Sequence, residues 1–311
     1  MALKITTIGE VLVDLTQTTV DSNSIISFAA NPGGAPANVA VAASRLGAST
    51  AFVGCIGKDS FGEILKKTLE DNKVDIKGLQ QTDKASTTLA VVTVSKDGER
   101  SFSFLRKPGA DLLIDEERAF KDVKGTGMLH FGSVSLTDPA CRKRIISVVK
   151  KAKESGSIIT YDPNYRSTLW KGEEEAVKQM RKVLPFCDIV KISNEETELL
   201  TGKKTAKAAA EALIKKGVSI VFVTLGKDGA YFKTKVVCGT VKGYSVKVAD
   251  TNGAGDTFFG ALLSKLAKRG NIENLTEEEL REYVDFANKA ASITTSRKGA
   301  IPAMPYLEEL L

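Results

Sequence analysis

The chain has 311 residues, of which 42% are hydrophobic and 26% are charged, and its formal net charge is +6. This balance is typical of a globular protein that is long enough to bury a sizeable core. The cationic residues are spread along the chain, so nucleic acid is not an expected partner, whereas a small anionic ligand is compatible with the charge. No run approaches about 18 uncharged apolar residues, and the N-terminus lacks a signal-peptide pattern. We therefore expect no membrane association and a cytoplasmic location.

The cysteine and histidine content excludes several kinds of site. The four cysteines are Cys55, Cys141, Cys187 and Cys238. They lie far apart and lack the paired spacing of zinc sites or redox dithiols. The single histidine, His130, lies in an apolar run, so a histidine-rich metal site is excluded and a Ser-His-Asp triad would have to be built around it. We interpret His130 as a buried structural residue.

Short apolar runs of strand length alternate with amphipathic stretches of helix length. This alternation predicts repeated strand-helix-strand units and an α/β fold with a mainly parallel sheet flanked by helices. The predicted core strands cover residues 4–9, 50–55, 128–133, 157–162, 188–192 and 219–224. Predicted helices include residues 37–46, 139–153 with Asp138 as the N-cap, and 276–296.

Two segments break this alternation. Residues 87–105 contain two strand-like runs around a turn at 96–99, which predicts an antiparallel hairpin. Since two strands are not stable alone, we expect them to join residues 12–28 in a small sheet that projects from the main body as a lid. An exposed sheet needs a ligand or a second subunit to cover it, which suggests a homodimer through the lid sheet. Residues 229–248 predict a second antiparallel region. We predict a single domain over residues 1–311.

The most informative segment covers residues 249–261 and has the sequence ADTNGAGDTFFGA. Glycines directly before a helix let the backbone turn tightly, so that several N–H groups converge at the positive end of the helix dipole. Such a turn is a site for an oxyanion. Asp256 lies in the first turn of the predicted helix, where a carboxylate can also act only as a favourable charge for the dipole. This segment alone therefore leaves the function of Asp256 open.

A second glycine-rich segment, residues 31–40 with the sequence NPGGAPANVA, also precedes a predicted helix. The missing side chains of Gly33 and Gly34 allow a polar ligand to approach the backbone closely. Asn38 offers both a donor and an acceptor to a hydroxyl group. By itself, a glycine-rich turn at a helix start is a weak signal.

Together, the two segments resemble the signatures of the ribokinase-like (PfkB) carbohydrate kinase family, and the resemblance extends over nearly the whole chain. It implies a ribokinase-like fold and ATP-dependent phosphorylation of a small sugar. Gly253, Ala254 and Gly255 would form an anion hole around the transferred phosphoryl group. Asp256 would be the general base that takes the proton of the sugar hydroxyl. These roles agree with the chemistry, because phosphoryl transfer requires mainly positioning, charge stabilisation and a carboxylate near the nucleophile.

The resemblance also implies a sugar pocket and a nucleotide site. The implied sugar-binding residues are Asp14, Gly33, Gly34, Asn38, Arg106, Arg166 and Asp256. The implied nucleotide-binding residues are Lys191, Thr224, Gly226, Gly229 and Asn288. Asp14 and Arg166 follow predicted strands, at the sheet edge where open α/β folds bind ligands. Arg106 would come from the lid, which would exclude water from the reaction.

The same resemblance implies that the reaction needs Mg²⁺ and is activated by K⁺. The segment 193–198 matches the family's Asn-x-x-Glu motif imperfectly: if the register follows residues 200–202, Glu196 is the glutamate and Ser193 takes the position of the asparagine. Asn194 is then displaced by one residue. Glu196 would hold Mg²⁺ through water, since this ion keeps several waters and relies on substrate phosphates.

The implied K⁺ ligands are oxygen atoms of Asp250, Asn252 and Gly299, beside the anion hole. Carboxylate and carbonyl oxygens suit a large monovalent cation. A loop held together by hydrogen bonds is the structural alternative for these three residues.

Two other classes of function remain beside the kinase hypothesis. A Rossmann-type dehydrogenase would suit the alternating fold, but no Gly-x-Gly-x-x-Gly follows the first predicted strand. A non-catalytic sugar or nucleotide sensor on the same scaffold would have lost its base, whereas Asp256 is present. Walker and protein-kinase motifs are absent. The kinase hypothesis alone accounts for both glycine-rich segments.

Within the family, residues 34–38 and 162–170 most resemble the fructokinases, so D-fructose is the expected acceptor and fructose 6-phosphate the product. Ala35 lies where phosphosugar kinases of this family often have a lysine, and a methyl group cannot pair with a substrate phosphate. A sugar acid would need a cation opposite its carboxylate, which Arg106 or Arg166 could supply. We therefore keep 2-keto-3-deoxygluconate as the alternative, although its kinases often have an acidic residue in place of Pro36.

Overall fold

The computed structural model describes residues 2–20, 22–94 and 100–311. The strands are β1 (Ile5–Ile8), β2 (Leu12–Val20), β3 (Ile26–Gly33), β4 (Thr50–Gly57), β5 (Leu79–Thr82), β6 (Leu89–Val94), β7 (Arg100–Leu105), β8 (Met128–Gly132), β9 (Ile158–Asp162), β10 (Ile189–Ser193), β11 (Ile220–Thr224), β12 (Ala230–Lys233) and β13 (Cys238–Val241). The helices are α1 (Ala35–Arg45), α2 (Ser60–Asp71), α3 (Glu116–Val123), α4 (Pro139–Glu154), α5 (Glu173–Val183), α6 (Glu196–Thr201), α7 (Ala206–Lys215), α8 (Ala254–Arg269) and α9 (Glu277–Thr295). Short 3₁₀ turns lie between several of them.

The main sheet has nine strands in the order β13-β12-β11-β10-β9-β8-β1-β4-β5. Neighbouring strands from β11 to β5 run parallel, whereas β12 pairs antiparallel with β11 and with β13. All six predicted core strands are confirmed within one or two residues. The antiparallel region predicted over residues 229–248 is also present, although its second strand, β13, already ends at Val241. The fold class is therefore confirmed as an α/β sheet flanked by helices.

Helices cover both faces of this sheet because successive side chains of a strand point to opposite sides and both sides are apolar. On β11, Val221 and Val223 belong to the core beneath α4, α5 and α7, whereas Ile220 and Phe222 belong to the core beneath α1, α8 and α9. Within the described part of the chain, no helix is both long enough and apolar enough to span a bilayer.

Two of the three predicted helix starts are confirmed by their caps. Asp138 precedes α4, and its Oδ1 atom accepts hydrogen bonds from the N–H groups of Ala140 and Cys141. Thr276 and Glu279 form a reciprocal capping box at α9. Helix α1 begins at Ala35, two residues earlier than predicted, with Pro36 in its first turn.

A second, four-stranded sheet has the order β3-β2-β6-β7. Strands β2 and β6 pair in parallel, and each has an antiparallel partner, β3 and β7 respectively. Both segments predicted for a separate small sheet contribute to it, although β3 continues beyond residue 28 as far as the first glycine of the glycine pair, Gly33. The turn predicted at residues 96–99 lies outside the described residues. We call this four-stranded unit the small sheet.

His130 is buried on β8, where its Nδ1 atom lies 3.1 Å from the hydroxyl of Thr160 and its ring contacts the edge of Phe259. Burial and, to a smaller extent, the positive charge of Lys191 together lower the pKa of His130 to about 3. The ring is therefore neutral, in agreement with a structural role.

Candidate active site

A cavity opens at the carboxyl edge of the main sheet, where that sheet meets the small sheet. Its lining residues are Glu10, Leu12, Asp14, Gly34, Ala35, Asn38, Phe104, Val134, Asn164, Arg166, Asn252, Gly253, Asp256 and Ala300. They come from β2 and β7 of the small sheet, from the starts of α1 and α8, and from the loops after β1, β8, β9 and α9. The fold thus brings both glycine-rich segments to one cavity.

Asp256 lies in the first turn of α8 and is 6% exposed. One carboxylate oxygen, Oδ2, accepts a hydrogen bond of 2.8 Å from the amide of Asn38, and Oδ1 accepts one of 3.0 Å from the amide of Asn164. Burial raises the pKa of Asp256 above its usual range, against the opposing effect of these two amides and of the Lys191 and Arg166 charges. The carboxylate is consequently both oriented and made more basic than an exposed aspartate.

The turn before α8 depends on its two glycines. Gly253 has a positive φ of 73°, and a Cβ atom there would lie 2.9 Å from the Cβ of Ala300. A Cβ atom at Gly255 would lie 2.9 Å from the ammonium nitrogen of Lys191. The first N–H groups of a helix have no acceptor within the helix. The turn therefore combines N–H donors with a nearby cation, which is the environment of an anion site.

Lys191 is buried beside this turn, in an ion pair with Asp162 at 2.7 Å. Burial tends to lower the pKa of Lys191, but the carboxylates of Asp162, Glu196 and Asp256 outweigh it and raise the pKa above its usual range. The ammonium group is therefore charged at neutral pH. The sequence analysis identified Asp162 only as the last residue of a predicted strand. The parallel pairing of β9 and β10 places it next to Lys191.

Glu196 is 8% exposed and holds two loops together. Its Oε1 atom accepts the N–H of Tyr165 at 2.7 Å, and its Oε2 atom accepts the N–H of Ser193 at 2.8 Å. Burial, together with the Asp162 charge, raises the pKa of Glu196 against the effect of Lys191. A carboxylate has about four lone-pair sites, so two remain for further donors such as water.

Asp14 and Arg166 both line the cavity, Asp14 from β2 and Arg166 from the loop after β9. Burial raises the pKa of Asp14 to about 6, while the Arg166 charge lowers it and the charges of Asp256 and Asp250 raise it. Gly33 lies against Asp14, since a Cβ atom there would be 2.7 Å from its Oδ2 atom. The glycine is needed for this close approach.

Three functional candidates were not assigned a role from the sequence: Glu10 and Asn164, which line the cavity, and Asp162, which is the partner of Lys191. Glu10 is 1% exposed, and Asn164 orients the Asp256 carboxylate. Asn164 also has a positive φ of 46°, which is uncommon for a residue other than glycine. The sequence signal available for Asn164 was its place directly after a strand that ends at the ligand-binding edge.

Arg106 is not itself a lining residue of the cavity, and it is 8% exposed. Its Nε and Nη2 atoms donate to the Oδ2 atom of Asp111, and Nη1 donates to the hydroxyl of Thr137. Nη2 also donates to the carbonyl of Val134. The guanidinium is thus bound to protein groups at the base of the small sheet. The Oδ2 atom of the buried Asp111 accepts two of these hydrogen bonds, a charged contact that the sequence pattern did not indicate.

Four of the five residues predicted at the nucleotide lie in a second region, near the end of β13, whereas Lys191 lies beside the turn before α8. Gly226 and Gly229 flank a short turn after Thr224, and a Cβ atom at Gly229 would lie 2.0 Å from the carbonyl oxygen of Val241. Asn288 on α9 donates to the carbonyl groups of Val241 and Lys242 at 3.3 and 3.1 Å. The loop after β11 and α9 therefore contact the same backbone segment.

The residues predicted to bind K⁺ are also close together. The Asp250 carboxylate accepts the N–H of Asn252 at 3.1 Å and the N–H of Gly299 at 3.2 Å. This contact joins the loop before α8 to the loop after α9. Across the described residues, no group of three or more His, Cys, Asp or Glu side chains is arranged to hold a metal.

Comparison with known proteins gives one consistent result. The pfkB family carbohydrate kinase model matches residues 2–307. The chain is 42% identical over 301 residues to a probable fructokinase-2 from Arabidopsis thaliana, which covers 96% of this chain and 91% of that protein. A fructokinase from Xylella fastidiosa, solved with bound ATP, superposes with a TM-score of 0.90 at 32% identity, over 99% of this chain and 96% of that chain.

A double mutant of the fructokinase from Vibrio cholerae O395, solved with fructose, ADP and a potassium ion, superposes with a TM-score of 0.88 at 33% identity. The match covers 99% of this chain and 97% of that chain. The resemblance carried by the two glycine-rich segments is confirmed, and the chain belongs to the pfkB family of carbohydrate kinases.

Proposed function

We propose that this chain transfers the γ-phosphoryl group of ATP to D-fructose and releases ADP and fructose 6-phosphate. The observation that carries the proposal is the position of Asp256, a buried and oriented carboxylate at the helix start that offers the anion site. The fructokinases among its relatives support fructose as the acceptor. We place the reaction in the cytoplasm, in line with the sequence-based expectation.

Asp256 acts as the general base in this proposal. The oxygen of the sugar 6-hydroxyl attacks the γ-phosphorus, its proton passes to the Asp256 carboxylate, and the bond between the γ-phosphorus and the β,γ-bridging oxygen breaks. The raised pKa of Asp256 makes the carboxylate a stronger base. Asn38 and Asn164 fix its two oxygens through their amide donors, which limits the rotation of the carboxylate away from the hydroxyl.

Gly253, Ala254 and Gly255 stabilise the negative charge of the transferred group through their backbone N–H donors. Lys191 adds a positive charge next to Gly255, where a side chain would have to displace the ammonium group. Because the Asp162 ion pair holds Lys191, the cation is in place before the substrate binds. Charges arranged in advance need little reorganisation during the reaction.

The donor sets fit the two proposed ions. Glu196 keeps lone pairs for water after accepting two backbone N–H groups, which suits Mg²⁺ held through its own waters. When bound, Mg²⁺ would neutralise phosphate charge on the nucleotide. Asp250, Asn252 and Gly299 would supply oxygen ligands to K⁺, since the hydrogen bonds of the Asp250 carboxylate bring the three together.

The charge of the cavity favours a neutral sugar over a sugar acid. Three carboxyl groups line it, those of Glu10, Asp14 and Asp256, and Arg166 is the cationic lining residue. Arg106, the other cation considered for a substrate carboxylate, is neutralised by Asp111. A substrate carboxylate would therefore meet more negative than positive charge. This argues for fructose and against 2-keto-3-deoxygluconate.

Two further roles belong to the proposal. Thr224, Gly226, Gly229 and Asn288 would frame the nucleotide near the end of β13, where their contacts converge. The small sheet would act as the lid, since Leu12, Asp14 and Phe104 reach the cavity from it.

The exposed apolar side chains of the small sheet favour a homodimer that forms through this sheet. They include Ile26 at 49% and Leu105 at 59% exposure. An Ile26→Asp variant should be monomeric in sedimentation experiments in which the wild type is dimeric. A monomeric wild type would contradict the dimer.

The proposed function is tested by comparing kcat/KM for fructose, ribose, 2-keto-3-deoxygluconate and fructose 6-phosphate at fixed ATP and Mg²⁺, because this ratio measures differential transition-state binding. Fructose should give the highest value. A higher value for any other substrate would overturn fructose as the acceptor. A preference for the keto acid that is lost in Arg166→Ala would establish the alternative.

A further inference from the structure

Glu10 lies directly after β1 on the wall of the sugar cavity, and none of the roles assigned above uses it. The side chain is 1% exposed. Lone carboxyl groups are rarely buried this deeply, because removing a charge from water is costly. Its position therefore requires an explanation in terms of its partners.

Only one of the two carboxyl oxygens of Glu10 has a partner among the described residues. Oε1 accepts the backbone N–H of Ala35, at the start of α1, at 3.2 Å. Oε2 is buried with no hydrogen bond. Buried polar atoms almost always have a partner, so an unpaired oxygen at a ligand cavity indicates that the ligand supplies one.

The nearby cation does not fill this gap. Arg106 lowers the pKa of Glu10 by its charge, but its hydrogen bonds go to Asp111, Thr137 and Val134. Glu10 is also held from moving toward another partner. Gly34 has a positive φ of 104°, and a Cβ atom there would lie 2.7 Å from the backbone carbonyl oxygen of Glu10. Close backbone packing and the Ala35 bond thus fix the carboxyl group at the cavity.

A second unpaired acceptor lines the same cavity. The Oδ1 atom of Asn38 is buried without a hydrogen bond, while its amide nitrogen is bound to Asp256. Two such acceptors in one cavity suit a ligand with several hydroxyl groups, since each hydroxyl can donate to one of them. A phosphate or a carboxylate has no comparable donors and would be repelled by Glu10.

We propose that Glu10 is a further sugar-binding residue, whose Oε2 atom forms a hydrogen bond with a hydroxyl group of the sugar other than the one phosphorylated. This inference rests on the proposed function and adds a determinant of its specificity. Burial raises the pKa of Glu10 to about 7, while the Glu10 backbone and Arg106 lower it and Asp111 raises it. In the ionised form, the Oε2 atom accepts a hydrogen bond from a sugar hydroxyl group, which an amide nitrogen cannot do.

The test is the full-length Glu10→Gln variant. Glutamine keeps the size of the side chain and an oxygen for the Ala35 N–H, and it replaces the sugar-facing oxygen with an amide nitrogen. We expect kcat/KM for fructose to fall by about tenfold to a hundredfold, the usual loss for one hydrogen bond to such a group. The dissociation constant of ATP in the absence of sugar should be unchanged. Glu63→Gln, on the exposed face of α2, is the matched control.

A series of deoxy sugars separates direct contact from a merely structural role. The wild type should discriminate strongly against one of 1-, 3- and 4-deoxyfructose, and Glu10→Gln should lose most of that discrimination. Wild-type kcat/KM in the variant would overturn the inference, and so would an equal loss on fructose and on all three analogues. If the wild type phosphorylates none of these sugars, the proposed function fails. The role of Glu10 is then tested by calorimetric titration of the wild type and of Glu10→Gln with fructose, and equal fructose affinities of the two proteins would overturn the inference.

Discussion

Replacing Asp256 with asparagine separates its catalytic role from its structural one. Asparagine has the same shape but cannot take the proton of the sugar hydroxyl. Turnover should fall by about 10²–10⁴-fold, the usual contribution of a general base, which corresponds to about 3–5 kcal/mol on the activation barrier. The dissociation constant for ATP should change little, since the N–H donors of the anion site belong to the backbone.

The structure also predicts that Asp256→Asn remains folded. The pKa of Asp256 is raised in the folded protein, so the ionised carboxylate lowers stability at pH values above that pKa. A neutral amide removes this cost, but it offers one acceptor where the carboxylate offered two to Asn38 and Asn164. Rotation of the Asn38 amide would direct its unpaired Oδ1 atom toward the new donor. We therefore expect the free energy of unfolding to stay within about 1 kcal/mol of the wild type.

The assay couples ADP release to an optical signal, and thermal unfolding is recorded on the same preparations. Asp285→Asn is the matched control, because Asp285 is exposed on α9 and accepts a hydrogen bond from the Tyr244 hydroxyl, outside the cavity lining. A folded Asp256→Asn variant with turnover within about tenfold of the wild type would remove Asp256 as the base. A large fall in melting temperature would instead refute the argument that its burial costs stability.

Three further changes test the rest of the site. Since the pKa of Asp14 is raised to about 6, kcat/KM for the sugar should decrease as the pH falls below 6. The Asp14→Asn variant should be more stable than the wild type by up to about 3 kcal/mol at pH 8 but not at pH 4, and a pH-independent difference in melting temperature would contradict this. Gly255→Ala should lower turnover by about 10²-fold, because the new methyl group would displace Lys191. The control is Gly172→Ala, whose added Cβ has no atom within 4 Å and should not change turnover; equal activities of the two variants would show that the Lys191 contact is unimportant. Exchange of Na⁺ for K⁺ at constant ionic strength should raise turnover in the wild type but not in Asp250→Asn, and an unchanged wild-type rate would disprove the K⁺ site.

The sequence by itself determined the features that depend on local pattern. The alternation of apolar and amphipathic runs predicted the parallel strands, and caps such as Asp138 predicted where helices begin. These predictions succeeded because strand and helix formation depend on periodicity and on side chains within a few residues. The run from Gly253 to Asp256 carried the family resemblance for the same reason, since its glycines and carboxylate are contiguous.

Only the tertiary structure decided which distant side chains meet. Asn38 and Asp256 are 218 residues apart, and Asn164 is 92 residues from Asp256, yet all three form one hydrogen-bonded group. The sequence did not indicate that Asp111 is the partner of Arg106, and it gave no role to Glu10, which is buried at the cavity. These contacts depend on the order of strands in the two sheets and on the burial that follows from it. Neither the partner of a charged side chain nor its desolvation can be read from neighbouring residues, because both are set by elements packed together from distant parts of the chain.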